Sequence, residues 1–109
     1  MPIQHKILAA GKWHTLTLSE QLGNIGSEVS RALRWKNKDE NLYTNAIDRA
    51  LELLDMTTSD PRWRMRLKEL LRARELLLDA AEGGTAYHTS LQDLESYFFS
   101  FALAARSTR

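Results

Sequence analysis

The chain has 109 residues, of which 43% are hydrophobic and 27% charged, and its formal net charge is +1. These values are typical of one soluble globular domain with a modest core. The absence of cysteine excludes disulfides, thiolate metal ligands and cysteine nucleophiles. No apolar run approaches the roughly 18 residues of a membrane span, and the first residues do not resemble a secretory signal. We therefore expect a cytoplasmic protein that does not enter a membrane.

Helical periodicity and capping residues predict the first two secondary-structure elements. The first helix is predicted over 18–36, because Thr17 and Glu20 fit a capping box that precedes a regular apolar face. The second helix is predicted over 40–56, with Asp39 as a suitable N-cap. Its apolar face is wide, which indicates contact with two neighbouring helices.

Two further helices are predicted in the second half of the chain. The third is predicted as one continuous helix over 60–82, because Asp60 suits its N-cap, a proline follows in its first turn and two glycines stand at its end. The fourth is predicted over 90–106, with Thr89 and Gln92 as a capping box.

No segment alternates at the two-residue period of a strand. The sequence therefore predicts an all-α, single-domain fold, and an up-and-down four-helix bundle is the best architecture. We expect the bundle to comprise 17–109, preceded by an N-terminal arm or irregular lead-in at 1–16.

Arg74 falls at the centre of the apolar face predicted for the third helix. A buried guanidinium is costly unless it meets a carboxylate or several carbonyl groups. We therefore predict either a structural ion pair at this position or the floor of a ligand site. The candidate partner carboxylates lie near the edges of apolar helix faces: Glu28, Asp48, Asp93 and Glu95.

Basic residues concentrate in two places. Residues 62–74 contain six basic side chains against one acidic side chain: Arg62, Arg64, Arg66, Lys68, Arg72 and Arg74. They either complement the acidic second helix or form a surface for an anionic partner. The second cluster closes the first helix and comprises Arg34, Trp35 and Lys36. It could stack bases and neutralise phosphates, or it could simply favour the helix dipole.

A strip of small residues lies beside the apolar face of the first helix: Ser19, Gly23, Gly26 and Ser30. A glycine inside a helix costs about 0.8–1 kcal/mol relative to alanine, so we expect something to approach this strip closely. The partner is either the Phe98 and Phe101 side of the last helix, a second copy of the chain, or a ligand. The last helix is apolar on two sides, which favours self-association. The oligomer contact would then comprise Gly23, Gly26, Phe99 and Leu103.

No catalytic motif is found in the sequence. The three histidines show no metal-ligand spacing, and neither a nucleophile elbow nor a phosphate-binding glycine loop is present. We therefore expect neither an enzyme nor a metal or cofactor site.

The helical plan resembles a group of small bacterial four-helix-bundle proteins, the 23S rRNA intervening-sequence proteins and the accessory proteins of diversity-generating retroelements. The local resemblance lies in Gln21-Leu22 and Asn24-Ile25-Gly26 on the first helix, whereas Gly23-Asn24 replaces the arginine pair of that group. The resemblance implies a pentameric, positively charged bundle that binds nucleic acid or a partner enzyme.

Two functions follow as hypotheses. The first is a non-enzymatic helical bundle that forms a homo-oligomer and acts as an adaptor or scaffold. The alternative is a nucleic-acid-binding bundle, for RNA or DNA, that uses the basic residues 62–74 with the cluster 34–36 as a secondary patch. The sequence does not exclude a small-ligand site around Arg74.

Overall fold

The computed structural model describes residues 11–107, and throughout this part of the chain the regular structure is helical. Residues 11–13 are helical, and four α-helices and one 3₁₀ segment follow. These are α1 (Leu18–Trp35), α2 (Glu40–Thr58), η1 (Pro61–Arg66), α3 (Leu67–Ala81) and α4 (Leu91–Ser107). The predicted all-α class is confirmed, whereas most of the predicted N-terminal arm, residues 1–10, lies outside the described residues.

Helix α1 occupies the middle of the fold. It packs extensively against both α2 and α4, and α3 makes smaller contacts with the same two helices. The core comprises large side chains from all four helices, and the completely buried ones include Leu22, Ile25, Val29, Leu54, Leu70, Leu77, Leu91, Leu94 and Phe98.

Side-chain caps define where the helices begin. At α1 the predicted capping box is present, since Thr17 Oγ1 accepts from the Glu20 backbone N–H and Glu20 Oε1 accepts from the Thr17 backbone N–H. Asp39 caps α2 as predicted. The capping pair of α4 is Ser90 with Asp93, so the predicted box lies one residue too early.

The predicted continuous third helix is wrong. Asp60 does cap the segment, but the chain first forms η1 and enters the regular α3 at Leu67. The break is at Trp63, whose φ and ψ are −105° and 22°. Its indole N–H donates to the Gln21 side chain of α1 at 3.0 Å. This contact with another helix holds Trp63 in a backbone conformation that a continuous helix would not allow.

Candidate functional site

Arg74 does not lie on the buried face of α3. The buried residues of this helix are Leu70, Ala73, Leu77 and Ala80, and Arg74 lies about 80° around the helix from the centre of that face. Its Nε donates to Asp55 Oδ1 of α2 at 2.7 Å, and the Arg74 and Asp55 side chains are 35% and 53% exposed. Arg74 therefore forms an ion pair between two helices, one of the two predicted alternatives, but its predicted burial and its predicted partners are wrong, because the predicted apolar face is rotated relative to the packed one. The ligand site at Arg74 stays a prediction.

The carboxylates predicted to pair with Arg74 have other roles. Glu28 accepts from Arg31 on its own helix and lies 3.7 Å from Arg49 of α2. It therefore links α1 to α2. Asp48 is exposed, and Glu95 accepts from the hydroxyl of Ser30.

The small-residue strip of α1 packs against α4 of the same chain. A Cβ added at Gly26 would lie 3.0 Å from Phe99 Cε1 and 3.3 Å from Phe98 Cβ. At one end of the strip Ser19 Oγ donates to the Ala102 carbonyl at 2.7 Å, and at the other end Ser30 binds Glu95 of α4. Gly26 is buried in this intrachain contact, so its prediction as an oligomer contact is wrong.

Three other members of the predicted oligomer contact remain accessible. A Cβ at Gly23 would meet nothing within 4 Å, and the side chains of Phe99 and Leu103 are 40% and 58% exposed. Ser19 lies level with Ala102, and Gly26 lies level with Phe99. Gly23 therefore lies between Phe99 and Leu103 along the antiparallel pair. We call Gly23, Phe99 and Leu103 the apolar notch.

Part of the basic segment lines a cleft where three elements meet. The cleft has a volume of about 680 Å³ and lies between the start of α1, η1 and the end of α4. Its lining residues are Thr17, Leu18, Ser19, Glu20, Arg62, Trp63, Met65, Arg66, Ala105 and Arg106. We call it the basic cleft.

The cleft contains two of the predicted binding residues and one that was not predicted. Arg62 and Arg66 line it, whereas Arg64 and Lys68 are exposed outside its lining. Arg106 is the residue that the sequence analysis missed, because the end of α4 comes beside η1 only in the folded chain.

Arg62 is held by a buried carboxylate. Its Nη2 lies 2.7 Å from Asp60 Oδ2, and its Nε also donates to the Asp60 carboxylate. The Asp60 side chain is 3% exposed, and His14 Nδ1 lies 3.3 Å from the same Oδ2. The hydrogen bonds from Arg62 lower the pKa of Asp60 well below its usual range, against the opposing effect of burial. Asp60 is thus ionised and fixes the Arg62 guanidinium.

Arg66 and Met65, two further side chains of η1 in the cleft, have different surroundings. The Arg66 guanidinium lies over the Phe101 ring, 5.6 Å from its centroid, and 3.8 Å from the Glu69 carboxylate. Met65 is 95% exposed. Such a large apolar side chain in water is suited to contact with a partner.

One residue of the second basic cluster, Lys36, lines a different cleft. Lys36 lines a space of about 520 Å³ with the α1–α2 turn and the end of α3. Arg34 is exposed outside that lining, and Trp35 is partly buried. The two clefts have no lining residue in common, so the predicted basic residues do not form one surface within the chain.

A chain of hydrogen bonds, which we call the buried polar bridge, connects Trp63 of the basic cleft to Gln21, Trp13 and Thr57. The Gln21 side chain is fully buried, donates to the Trp13 carbonyl at 2.8 Å and accepts from the Trp63 indole. The Trp13 indole in turn donates to Thr57 Oγ1 at 3.1 Å. The bridge therefore connects the lead-in, α1, α2 and η1. The sequence analysis missed it, because these residues are far apart along the chain.

The described part of the chain gives no indication of a metal or a membrane. Among residues 11–107 no group of three or more acidic or histidine side chains could hold a metal ion. None of the helices in this range combines the length and apolarity needed to cross a bilayer. Comparison of the chain with protein-family models, curated proteins and solved structures gave no match, and the resemblance to the rRNA and retroelement bundles stays a prediction.

Proposed function

We propose that this protein is a non-enzymatic, up-and-down four-helix bundle that self-associates through the apolar notch and acts as an adaptor or scaffold. The observation that carries the proposal is the exposure of Phe99 and Leu103 beside open backbone at Gly23. Large apolar side chains that are grouped and exposed are typical of surfaces that become buried on association.

A second copy of the chain fits the notch in a two-fold arrangement. In such an arrangement the same patch serves both protomers, so Leu103 of one protomer enters the space above Gly23 of the other. Burying the exposed halves of two leucine and two phenylalanine side chains contributes about 4 kcal/mol. Since association itself costs at least about 4 kcal/mol, neighbouring polar residues must add contacts. We expect a weak dimer with a dissociation constant in the upper micromolar range at best, because a constant of about 1 µM would need a net gain of about 8 kcal/mol.

Leu103→Lys is the variant that tests this proposal. Its charge would lie inside the interface, so the protein should become monomeric at concentrations where the parent chain is a dimer. Leu71→Lys is the matched control, since Leu71 is 47% exposed on α3 and lies outside the notch. Size-exclusion chromatography with light scattering gives the mass of all three proteins.

Two results would refute self-association through the notch. One is a parent chain that remains monomeric up to about millimolar concentration, because its free energy of association would then be weaker than about 4 kcal/mol. The other is an oligomer that Leu103→Lys leaves intact, or that Leu71→Lys disrupts equally. Circular dichroism would establish that both variants retain the helical fold.

Nucleic-acid binding, the alternative function, has less support. Of the predicted binding residues, Arg62 and Arg66 line one cleft and Lys36 lines the other, whereas the remaining ones line neither: Arg34, Trp35, Arg64 and Lys68. The charge of Arg62 is balanced by Asp60. The net charge of +1 provides little long-range attraction for a polyanion. A gel-shift titration with labelled single-stranded RNA and DNA at low salt tests this alternative directly.

A further inference from the structure

We propose that the basic cleft binds an acidic segment of a partner protein, one that also carries a large apolar side chain. This inference goes beyond self-association, because no residue of the apolar notch lines the cleft. The partner is defined here by its chemistry: carboxylates to meet the arginines, and an apolar group to meet Met65.

The charges in the cleft favour carboxylates. Three guanidinium groups, from Arg62, Arg66 and Arg106, line it with one acidic side chain, Glu20. The Glu20 carboxylate accepts from the Thr17 backbone N–H, and Asp60 and Glu69 next to the lining balance the charges of Arg62 and Arg66. Arginine binds carboxylates through paired, charge-assisted hydrogen bonds, so the exposed Arg106 would attract an acidic segment, and Arg62 adds the N–H groups that Asp60 does not occupy.

Two of the three arginines are already oriented before any partner binds. Asp60 holds Arg62 through several short contacts, and the guanidinium of Arg66 is placed between the Phe101 ring and Glu69. Restricting these long side chains in advance reduces the entropy lost on association. The ion pair of Arg62 with Asp60 therefore contributes by positioning the cleft, while Arg106 supplies an exposed charge.

The apolar part of the lining favours a protein over an isolated anion. Met65 is 95% exposed, and Leu18 and Ala105 form part of the wall. Arginine and methionine are both enriched in protein–protein interfaces. An apolar side chain of the partner would therefore cover Met65 while neighbouring carboxylates meet the arginines.

The environment of Trp63 argues against bases as the occupant. The Arg62 guanidinium already covers its ring at 4.4 Å from the centroid, and its indole N–H is used by Gln21. Single-stranded nucleic acids usually need an open aromatic face for stacking, and the described lining provides none besides this covered ring.

Fluorescence anisotropy with a labelled peptide of alternating glutamate and leucine tests the proposal on the intact chain. We expect saturable binding, and at least about tenfold weaker binding of the same peptide with glutamine in place of glutamate. Arg106→Glu should weaken binding by about tenfold or more. Met65→Ser should weaken it severalfold without changing the charge. Both residues are exposed, so neither change should prevent folding.

Arg34→Glu is the matched control, because it makes the same charge change at an exposed arginine outside the basic cleft. The proposal is overturned if the acidic peptide does not bind at about millimolar concentration, or if Arg34→Glu weakens binding as much as Arg106→Glu. Tighter binding of short single-stranded RNA or DNA than of the peptide, with loss in Arg106→Glu, would overturn it in favour of nucleic acid.

Discussion

Replacing Gln21 by leucine should strongly destabilise the fold, although leucine has a similar volume. Gln21 is fully buried and satisfies the Trp13 carbonyl and the Trp63 indole N–H. Leucine would leave the Trp63 indole N–H without its partner, whereas the Trp13 carbonyl would keep its hydrogen bond from the Leu16 backbone N–H. An unsatisfied buried group costs about 1–3 kcal/mol, and a lost hydrogen bond costs about 0.5–1.5 kcal/mol. Trp63 is partly buried, so its N–H can regain water and contributes the lower end of that range.

The expected loss is therefore about 1.5–2.5 kcal/mol of unfolding free energy, or a fall in Tm of about 8–15 °C for a chain of this size. Urea unfolding followed by tryptophan fluorescence and far-ultraviolet circular dichroism would measure it. Gln92→Leu is the matched control, since Gln92 is exposed on α4 and its replacement should change stability by less than about 0.5 kcal/mol. A Gln21→Leu protein as stable as this control would refute the buried bridge.

Four further substitutions test other parts of the structure. Arg74→Ala should lower the free energy of unfolding in urea by less than about 1 kcal/mol, because its ion pair is largely in solvent. A loss of several kcal/mol would instead indicate that Arg74 is buried, as the sequence predicted. The pKa of Asp60 is lowered in the folded chain, so its contribution to stability is complete above about pH 4 and is lost as the pH falls towards the folded pKa. In Asp60→Asn the free energy of unfolding should therefore depend less on pH in the acid range. An unchanged slope would contradict the lowered pKa of Asp60. Gly84→Ala should cost about 2 kcal/mol or more in thermal unfolding, because φ is +73° and a Cβ would lie 2.8 Å from the Thr89 carbonyl oxygen. Gly23→Ala, at an open helical site, should instead stabilise by up to about 1 kcal/mol.

Local sequence signals predicted the starts of α1 and α2 well, because the contacts that determine them are local. Thr17 and Glu20 are three residues apart and bind each other, so their pairing can be read from the sequence. The break after Asp60 could not be predicted in this way. It depends on the contact of Trp63 with Gln21, which are 42 positions apart.

The candidate site was predicted less well, because it depends on which face of each helix is buried. Arg74 lies among leucines in the sequence, yet Ala73 is the fully buried residue and Leu71 is 47% exposed. Periodicity defines a broad apolar face without fixing its centre, and the contacts with neighbouring helices decide it. Nor could the sequence predict that Arg106 and Met65 line the same cleft, because the cleft forms only where the end of α4 lies beside η1.

The two hydroxyl contacts between α1 and α4 also determine how these helices can move. At Gly26 the interface is smooth, and small residues alone would let one helix slide along the other. Ser19 and Ser30 bind α4 at points three helical turns apart on α1. A shift by one turn would break both contacts together, so the register of the pair is locked against shear. Motions at either end of the molecule should therefore arise from the connecting segments, while α1 and α4 move as one rigid unit.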